Sequence, residues 1–189
     1  MSASVILVIG GVRSGKSRVA AQLASELAQG GAVRFIATAK NDPADPVMAA
    51  RIGQHRSSRP ADWVTVEAPV DLARAILGRK GQTSQPVILV DCLTLWLGNV
   101  LEAAGDPEKR GFARRARAEF ESAAGSLLKA LDAAPQPVVI VTNEVGSGVA
   151  PPTTLGNVFA DLQGELNQAV AAAAKAVYHV VAGIPTRIK

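Results

Sequence analysis

Residues 10–17 read G-G-V-R-S-G-K-S and directly follow the apolar run at residues 5–9. This is the G-x-x-x-x-G-K-S pattern of a phosphate-binding loop, and it stands where a strand is predicted to end and a helix over residues 16–28 to begin. Its glycines permit positive φ, so that successive backbone N–H groups can close around phosphate oxygens at the helix N-terminus. Lys16 would then reach the β- and γ-phosphates, and Ser17 would ligate Mg²⁺. A glycine-rich turn that matches by chance is the alternative, but the strand and helix on either side favour a nucleoside triphosphate site.

The bulk properties indicate one globular domain. A chain of 189 residues is long enough for one α/β domain, so we expect a single domain over residues 1–189. Apolar residues make up 48% of the chain and charged residues 19%, which excludes a disordered protein. No stretch approaches the roughly 18 apolar residues of a spanning helix, so we expect no membrane span. The single cysteine, Cys92, excludes an internal disulfide and fits a reducing, cytoplasmic setting.

The net charge of +4 is compatible with a nucleic-acid partner or with a polyanionic small molecule. Aromatic residues make up only 4% of the chain, and no basic run is interleaved with stacking rings. The densest basic stretch, residues 109–117, has Arg110, Arg114 and Arg117 at helical spacing, which is typical of a solvated helix face. We therefore expect no nucleic-acid partner.

Strand-like and helix-like segments alternate along the chain. The apolar, β-branched runs are residues 5–9, 33–37, 87–90, 138–142 and 177–182, with a shorter run at 64–66. The helical patterns are residues 16–28, 46–54, 71–77, 107–131 and 159–174. This alternation predicts an α/β fold with a mostly parallel sheet. Because ligands of such sheets bind beyond the carboxyl ends of the strands, the residues after each run are candidates for the site.

Polar residues follow several of these runs. Thr38, Ala39 and Lys40 come after the second run, and Glu144 follows the fourth. Asp91 closes residues 87–90, a position from which phosphate-loop enzymes often hold Mg²⁺ directly or through its water. The alternative for Asp91 is that it only caps a helix over residues 93–101.

A dense polar cluster lies between residues 38 and 67 and contains one of the two histidines, His55. Arg51, Arg56 and Arg59 flank it, which is a cationic setting suited to phosphate groups. An imidazole can attack phosphorus and pass the group onward from a phosphoramidate. From the chemistry alone, a surface histidine that caps a helix is an equally good interpretation. The other histidine, His179, is interpreted as packed within its strand.

Eight short segments, spread over nearly the whole chain, carry a resemblance to a known family. They are G-G-V-R-S-G-K-S-R at residues 10–18, I-A-T-A at 36–39, R-I-x-x-H at 51–55, R-P-A-D-W at 59–63, V-D-C-L-T-L-W-L at 90–97, T-N-E-V-G-x-G at 142–148, N-Q at 167–168 and A-G-I-P at 182–185. In order and spacing they resemble the bifunctional adenosylcobinamide kinase/adenosylcobinamide-phosphate guanylyltransferase family of cobalamin synthesis.

The resemblance implies a RecA-like P-loop NTPase fold, a homo-oligomer and two reactions. In the first, ATP or GTP phosphorylates adenosylcobinamide with Mg²⁺ as cofactor. In the second, the histidine that matches His55 attacks the α-phosphate of GTP and carries GMP to adenosylcobinamide phosphate, which gives adenosylcobinamide-GDP.

The resemblance also implies a set of residues around the nucleotide. These residues are Gly10, Gly11, Val12, Arg13, Ser14, Gly15, Lys16, Ser17, Thr38, Ala39, Lys40, Arg56, Ser57, Ser58, Arg59, Glu67 and Asp91, with Arg18 as a lesser candidate. Glu67 would accept from the guanine N1–H and amine, or is an ordinary exposed residue at a strand end. Glu144 would order a Mg²⁺-bound water or take the hydroxyl proton, or it caps the turn at Gly146.

The chain departs from the family pattern at two positions. Val47 stands where an acidic residue is usual, and Asn157 follows L-G where arginine is usual. Both leave room for altered substrate contacts or for one weak activity. Two other functions stay open at this point, namely a simple small-molecule kinase in which His55 is structural and a nucleotide-dependent assembly protein of RecA type.

Overall fold

The computed structural model describes residues 4–40, 60–78 and 85–189. In this part of the chain, seven strands form one sheet in the order β3-β2-β4-β5-β1-β6-β7. The strands are β1 (Val5–Gly10), β2 (Val33–Ala37), β3 (Val64–Glu67), β4 (Val87–Asp91), β5 (Val138–Asn143), β6 (Ala176–Val181) and β7 (Ile184–Arg187). Every neighbouring pair is parallel except β6 and β7, which are antiparallel. The predicted α/β fold with a mostly parallel sheet is confirmed.

The helices connect the strands and agree with the sequence pattern to different degrees. They are α1 (Lys16–Ala28), α2 (Leu72–Leu77), α3 (Leu93–Leu101), α4 (Phe112–Ala133) and α5 (Thr154–Ala173), and a 3₁₀ turn, Glu102–Ala104, follows α3. The bounds of α1 are those predicted. The predicted helix over residues 46–54 lies outside the described residues. No helix in the described ranges is long and apolar enough to cross a membrane.

Two helix starts differ from the prediction. The prediction of a helix from residue 107 was wrong because the N-cap of α4 is Gly111, in a left-handed conformation with φ of 83°. Arg110 therefore precedes α4, and the basic stretch is not one continuous helix face. Helix α5 begins earlier than predicted because the Thr153 hydroxyl accepts a hydrogen bond from the Gly156 N–H and caps its N-terminus.

The sheet is covered differently on its two faces. Helix α1 packs with one set of alternating strand residues, which includes Val8, Phe35 and Leu89. Helices α2 to α5 pack with the other set, which includes Leu7 and Ile88. Because side chains alternate across a strand, nearly continuous apolar runs are needed to fill both cores. The carboxyl ends of the parallel strands are left at one edge of the sheet.

The hairpin between β6 and β7 was missing from the sequence prediction. Its turn consists of Ala182 with φ of 50° and Gly183 with φ of 82°, the backbone combination of a two-residue hairpin turn. All four residues of β7 are exposed, and Pro185 is acceptable there because β7 is an edge strand. The hairpin brings its turn back to the edge of the sheet where β1 ends.

Candidate nucleotide-binding site

The backbone of the loop between β1 and α1 requires glycine at two positions, Gly10 and Gly15. A Cβ on Gly10 would lie 2.5 Å from the Val180 carbonyl oxygen, so a side chain cannot be added there without a shift. Gly15 has φ of 92°, a region that L residues rarely adopt. Gly15 is also the N-cap of α1, and no side chain caps this helix. The loop therefore directs backbone N–H groups and the positive end of a helix dipole to one place, which suits an anion.

The ammonium group of Lys16 lies inside this loop. Lys16 as a residue is 9% exposed, and Nζ donates to the Gly11 carbonyl oxygen at 3.1 Å. Burial lowers the pKa of Lys16, while the neighbouring Cys92 and Asp91 act in the opposite direction. A buried cation at the start of a helix is favourable for a ligand of high negative charge.

Ser17 and Asp91 are the predicted ligands of Mg²⁺, and their placement fits that function. Ser17 is half-buried in the first turn of α1, and Asp91 is half-buried as the last residue of β4. The N-cap of α3 is Cys92, the residue after Asp91. The described ranges contain no group of three or more His, Cys, Asp or Glu residues that could hold a metal ion. Two oxygen donors are enough for Mg²⁺, because phosphates and water complete its octahedron.

Thr38 is placed by contacts that leave its side chain no role in direct binding. It is completely buried, and its hydroxyl donates to the Cys92 carbonyl oxygen at 2.7 Å and accepts from the Cys92 N–H at 2.8 Å. Ala39 is half-buried, and Lys40 is exposed and forms an ion pair with Glu102. Thr38 therefore fixes the end of β2 against the end of β4.

Asn99 was not found from the sequence, although it joins two segments of the candidate site. Its amide nitrogen donates to the Thr38 carbonyl oxygen at 2.7 Å and to the Pro69 carbonyl oxygen at 2.9 Å. The signal that could have found it is a carboxamide in the mostly apolar helix L-T-L-W-L-G-N-V-L. Glu67, the last residue of β3, is exposed and lies opposite Ala37. Asn99 thus holds the strand ends next to the predicted guanine contact.

Glu144 caps the turn at Gly146, which is the alternative to a role with Mg²⁺ or the hydroxyl proton. Its carboxylate accepts from the Gly146 N–H at 2.5 Å, and its own N–H donates to the Gly10 carbonyl oxygen at 3.1 Å. The carboxylate therefore caps the turn after β5, at the point where this turn meets the phosphate loop.

A buried polar network lies behind this turn and was also missed. The Gln163 amide nitrogen donates to both the Thr142 hydroxyl and the Asn167 side-chain oxygen, at 3.0 and 2.9 Å. Asn167 in turn donates to the Asn143 carbonyl oxygen at 3.0 Å. The sequence signal that could have found this network is the pair of polar residues Gln163 and Asn167, four positions apart on α5. The network ties the end of β5 to α5.

His55 and the residues Arg56, Ser57, Ser58 and Arg59 lie outside the described residues, as does Val47. The described parts bring the phosphate loop, Asp91 and Glu144 to one edge of the sheet, with Glu67 at the end of β3 on the same edge. His179 is half-buried within β6, as the sequence indicates.

The fold and the loop define an α/β protein of the P-loop nucleotide-binding class. The family model of cobinamide kinase / cobinamide phosphate guanyltransferase matches residues 6–188 of the chain. The chain is 41% identical over 183 residues to the bifunctional adenosylcobalamin biosynthesis protein CobP of Pseudomonas aeruginosa. The aligned residues are 97% of this chain and 96% of the relative. It is also 41% identical over 188 residues to the bifunctional adenosylcobalamin biosynthesis protein CobU of Salmonella typhimurium, covering 98% and 99%. The chain belongs to the cobinamide kinase / cobinamide phosphate guanyltransferase family of enzymes, which confirms the resemblance found from the sequence.

Proposed function

We propose that this protein phosphorylates adenosylcobinamide with ATP or GTP and then transfers GMP from GTP to the product, giving adenosylcobinamide-GDP. The observation that carries the proposal is the phosphate loop with its buried Lys16 at the carboxyl edge of the sheet, in a chain that belongs to this family. The protein would act in the cytoplasm as a homo-oligomer.

In the first reaction, the loop holds the triphosphate of the donor nucleotide. Backbone N–H groups at Gly15 and after it bind phosphate oxygens, and Lys16 leaves the Gly11 carbonyl oxygen to bind the β- and γ-phosphates. Ser17 and Asp91 would hold Mg²⁺, directly or through water, and the ion would neutralise charge on the phosphates. The substrate hydroxyl attacks the γ-phosphorus, the bond to the nucleoside diphosphate breaks, and the hydroxyl proton leaves to a base. Glu144 takes this role if its carboxylate leaves the Gly146 N–H.

In the second reaction, a nitrogen of His55 attacks the α-phosphorus of GTP. An N–P bond forms, the bond to pyrophosphate breaks, and GMP is left on the histidine. A phosphate oxygen of adenosylcobinamide phosphate then attacks the same phosphorus, and the N–P bond breaks to release neutral imidazole. Glu67, at the end of β3, would select guanine by accepting from N1–H and the exocyclic amine, which adenine does not offer in that arrangement.

A two-stage assay with mass-spectrometric detection tests this function. Wild-type protein with Mg²⁺, GTP and adenosylcobinamide is expected to give first the phosphorylated and then the GDP-linked corrinoid. Lys16→Met should lose both products, whereas His55→Asn should lose only the second. Formation of the phosphorylated product alone by the wild type would reduce the function to that of a kinase. No product of either kind from protein that binds GTP would contradict the proposal.

A further inference from the structure

The turn of the β6–β7 hairpin contacts the phosphate loop from a point nearly 170 residues further along the chain. The Gly183 N–H donates to the Ser14 carbonyl oxygen at 2.7 Å. A Cβ added to Gly15 would lie 3.0 Å from the Gly183 Cα, so the two backbones are in close contact. The Arg18 guanidinium donates to the Gly183 carbonyl oxygen at 3.4 Å. The turn is thus bound to the loop and to the first turn of α1.

The hydrogen bond to Ser14 has a direct consequence for the next N–H group. The Ser14 carbonyl and the Gly15 N–H belong to the same planar trans peptide, so they point in opposite directions. A donor that fixes the carbonyl on one side therefore fixes the direction of the Gly15 N–H on the other. This N–H is the first of the donors at the N-terminus of α1, where the helix has no side-chain cap.

The loop needs such support because its backbone is unfavourable in isolation. Arg13 has φ of 55° and Gly15 has φ of 92°, so left-handed residues lie on both sides of Ser14. For Arg13 this conformation is strained, since only glycine visits it freely. The loop's own backbone contributes one weak hydrogen bond, from the Ser14 N–H to the Gly11 carbonyl oxygen at 3.3 Å. The hydrogen bond from the Gly183 N–H to the Ser14 carbonyl oxygen holds the next peptide unit, which contains the Gly15 N–H.

We propose that Gly183 is a positioning residue of the nucleotide site, which orients the Gly15 N–H towards the phosphates by holding the Ser14 carbonyl. This inference rests on the proposed function, because it assumes that the Gly15 N–H donates to a phosphate oxygen. It also gives Arg18 a structural role, since its guanidinium supports the Gly183 carbonyl.

Gly183→Ala tests the proposal, with Gly30→Ala as a matched control. Gly183 and Gly30 have φ of 82° and 84°, so alanine is strained to a similar extent at both positions. A methyl group at Gly30 has no neighbour within 4 Å, whereas one at Gly183 lies 2.8 Å from the Arg18 guanidinium. Arg18 and Gly183 line a groove of about 130 Å³, so the displaced side chain has room and the variant should fold. Gly30 lies beyond the far end of α1, about 20 Å along the helix from the loop.

The measurement is the Kd of GTP with Mg²⁺, together with the Tm and the ³¹P chemical shift of the bound β-phosphate. We expect similar losses of Tm in the two variants. We expect a Kd about five- to tenfold higher and a shifted β-phosphate resonance only in Gly183→Ala, because one hydrogen bond to a charged group is misdirected. Equal Kd values and unshifted resonances in both variants would overturn the proposal.

A backbone ester isolates the hydrogen bond itself. Glycolic acid in place of Gly183, introduced by in vitro translation, exchanges the N–H for an oxygen and keeps the freedom of φ. The control is the same exchange at Gly31, whose N–H also donates to a backbone carbonyl at 2.7 Å, that of Ala28. The Kd should rise only for the ester at position 183, and an unchanged Kd there would refute the positioning role. Wild-type protein that fails to bind GTP would instead refute the proposed function.

Discussion

The phosphate loop after β1 and the strand ends around Thr38 lie at the same edge of the sheet, yet different kinds of contact hold them. The loop depends mainly on glycines and a lysine within eight consecutive residues, and one hydrogen bond from the distant Gly183 N–H supports it. The strand ends depend on hydrogen bonds between distant residues, from Thr38 to Cys92 and from Asn99 to Thr38 and Pro69. We therefore expect substitutions in the loop mainly to lower the reaction rates, and substitutions around Thr38 mainly to lower the free energy of unfolding.

The largest expected effect is that of Lys16→Met on the loop. Removing the only side-chain cation that the described loop buries should lower both reaction rates on the order of 10²–10³-fold. The free energy of unfolding should stay the same or rise, because burial disfavours the charged amine and lowers the pKa of Lys16. The two-stage assay and thermal unfolding measure these effects. Lys129→Met, an exposed change on α4, is the control and should alter neither the reaction rates nor the stability. A large loss of stability in Lys16→Met would contradict the distinction between the two regions.

Thr38→Val should have the opposite profile. It leaves the buried N–H of Cys92 without its partner and should cost about 1–3 kcal/mol in the free energy of unfolding. The affinity for the triphosphate should change little, because the Thr38 hydroxyl already bonds only to backbone atoms. Denaturant unfolding and GTP titration measure the two quantities. Thr38→Ser keeps the hydroxyl and serves as the control, and a valine variant as stable as wild type would contradict the role given to Thr38.

The reactivity of Cys92 tests the place where the phosphate loop and the strand ends around Thr38 meet. Burial raises the pKa of its thiol to about 11, and the carboxylate of Asp91 adds to the rise. The pKa in the folded state is thus above the ordinary value of 9.0, so the thiol contributes stability that is complete below pH 9 and is lost as the pH rises through 11. Alkylation by iodoacetamide should therefore be slow at pH 8.

Asp91→Asn sharpens this test, because removing the carboxylate should lower the pKa of the Cys92 thiol. The pH profile of alkylation should move to lower pH in this variant. Asp132→Asn, at an exposed position near the end of α4, is the control and should leave the profile in place. An unchanged profile in Asp91→Asn would mean that Asp91 does not act on the thiol.

The smallest effect is expected for the ion pair between Arg117 and Glu165, which belongs to neither region. The Arg117 guanidinium donates to both carboxylate oxygens, at 2.5 and 2.7 Å, and its hydrogen bonds hold the pKa of Glu165 below the usual range. A depressed pKa contributes stability above the ordinary pKa of Glu, and this is lost as the pH falls through the value in the folded state. Both side chains are nearly half exposed, so Glu165→Gln should lower Tm slightly at pH 7 and not at pH 2. A loss of Tm as large as that of Thr38→Val would be inconsistent with this ranking.

The sequence predicted the parts of the fold that local pattern determines. The loop, α1 and six strands were located to within one residue, because glycine spacing and continuous apolar runs are local signals. Strand β7 was missed because it has four exposed residues, contains Pro185 and shows no alternation. The start of α5 was missed although Thr153 is a standard N-cap residue.

The candidate site was predictable only in part, for the same reason. The functions of Gly15 and Lys16 are predicted from the phosphate-loop motif and that of Asp91 from its place at the end of a strand, and these functions stay predictions. Thr38 lies at the predicted edge of the sheet, but its buried bonds to Cys92 depend on which strands become neighbours in the sheet. Asn99 likewise acts across 30 and 61 residues of chain. Such long-range contacts cannot be predicted from the spacing of residues in the sequence.

The most direct test of the two-step function is the fate of labelled GTP on the protein. The protein is incubated with Mg²⁺ and GTP that carries label on either the α- or the γ-phosphate, and it is then denatured. We expect label from the α-phosphate only, lost in acid and kept in alkali as for a phosphoramidate, absent from His55→Asn and present in His179→Asn. Protein that binds GTP but keeps no α-label, or keeps it in His55→Asn, would contradict a guanylylated His55.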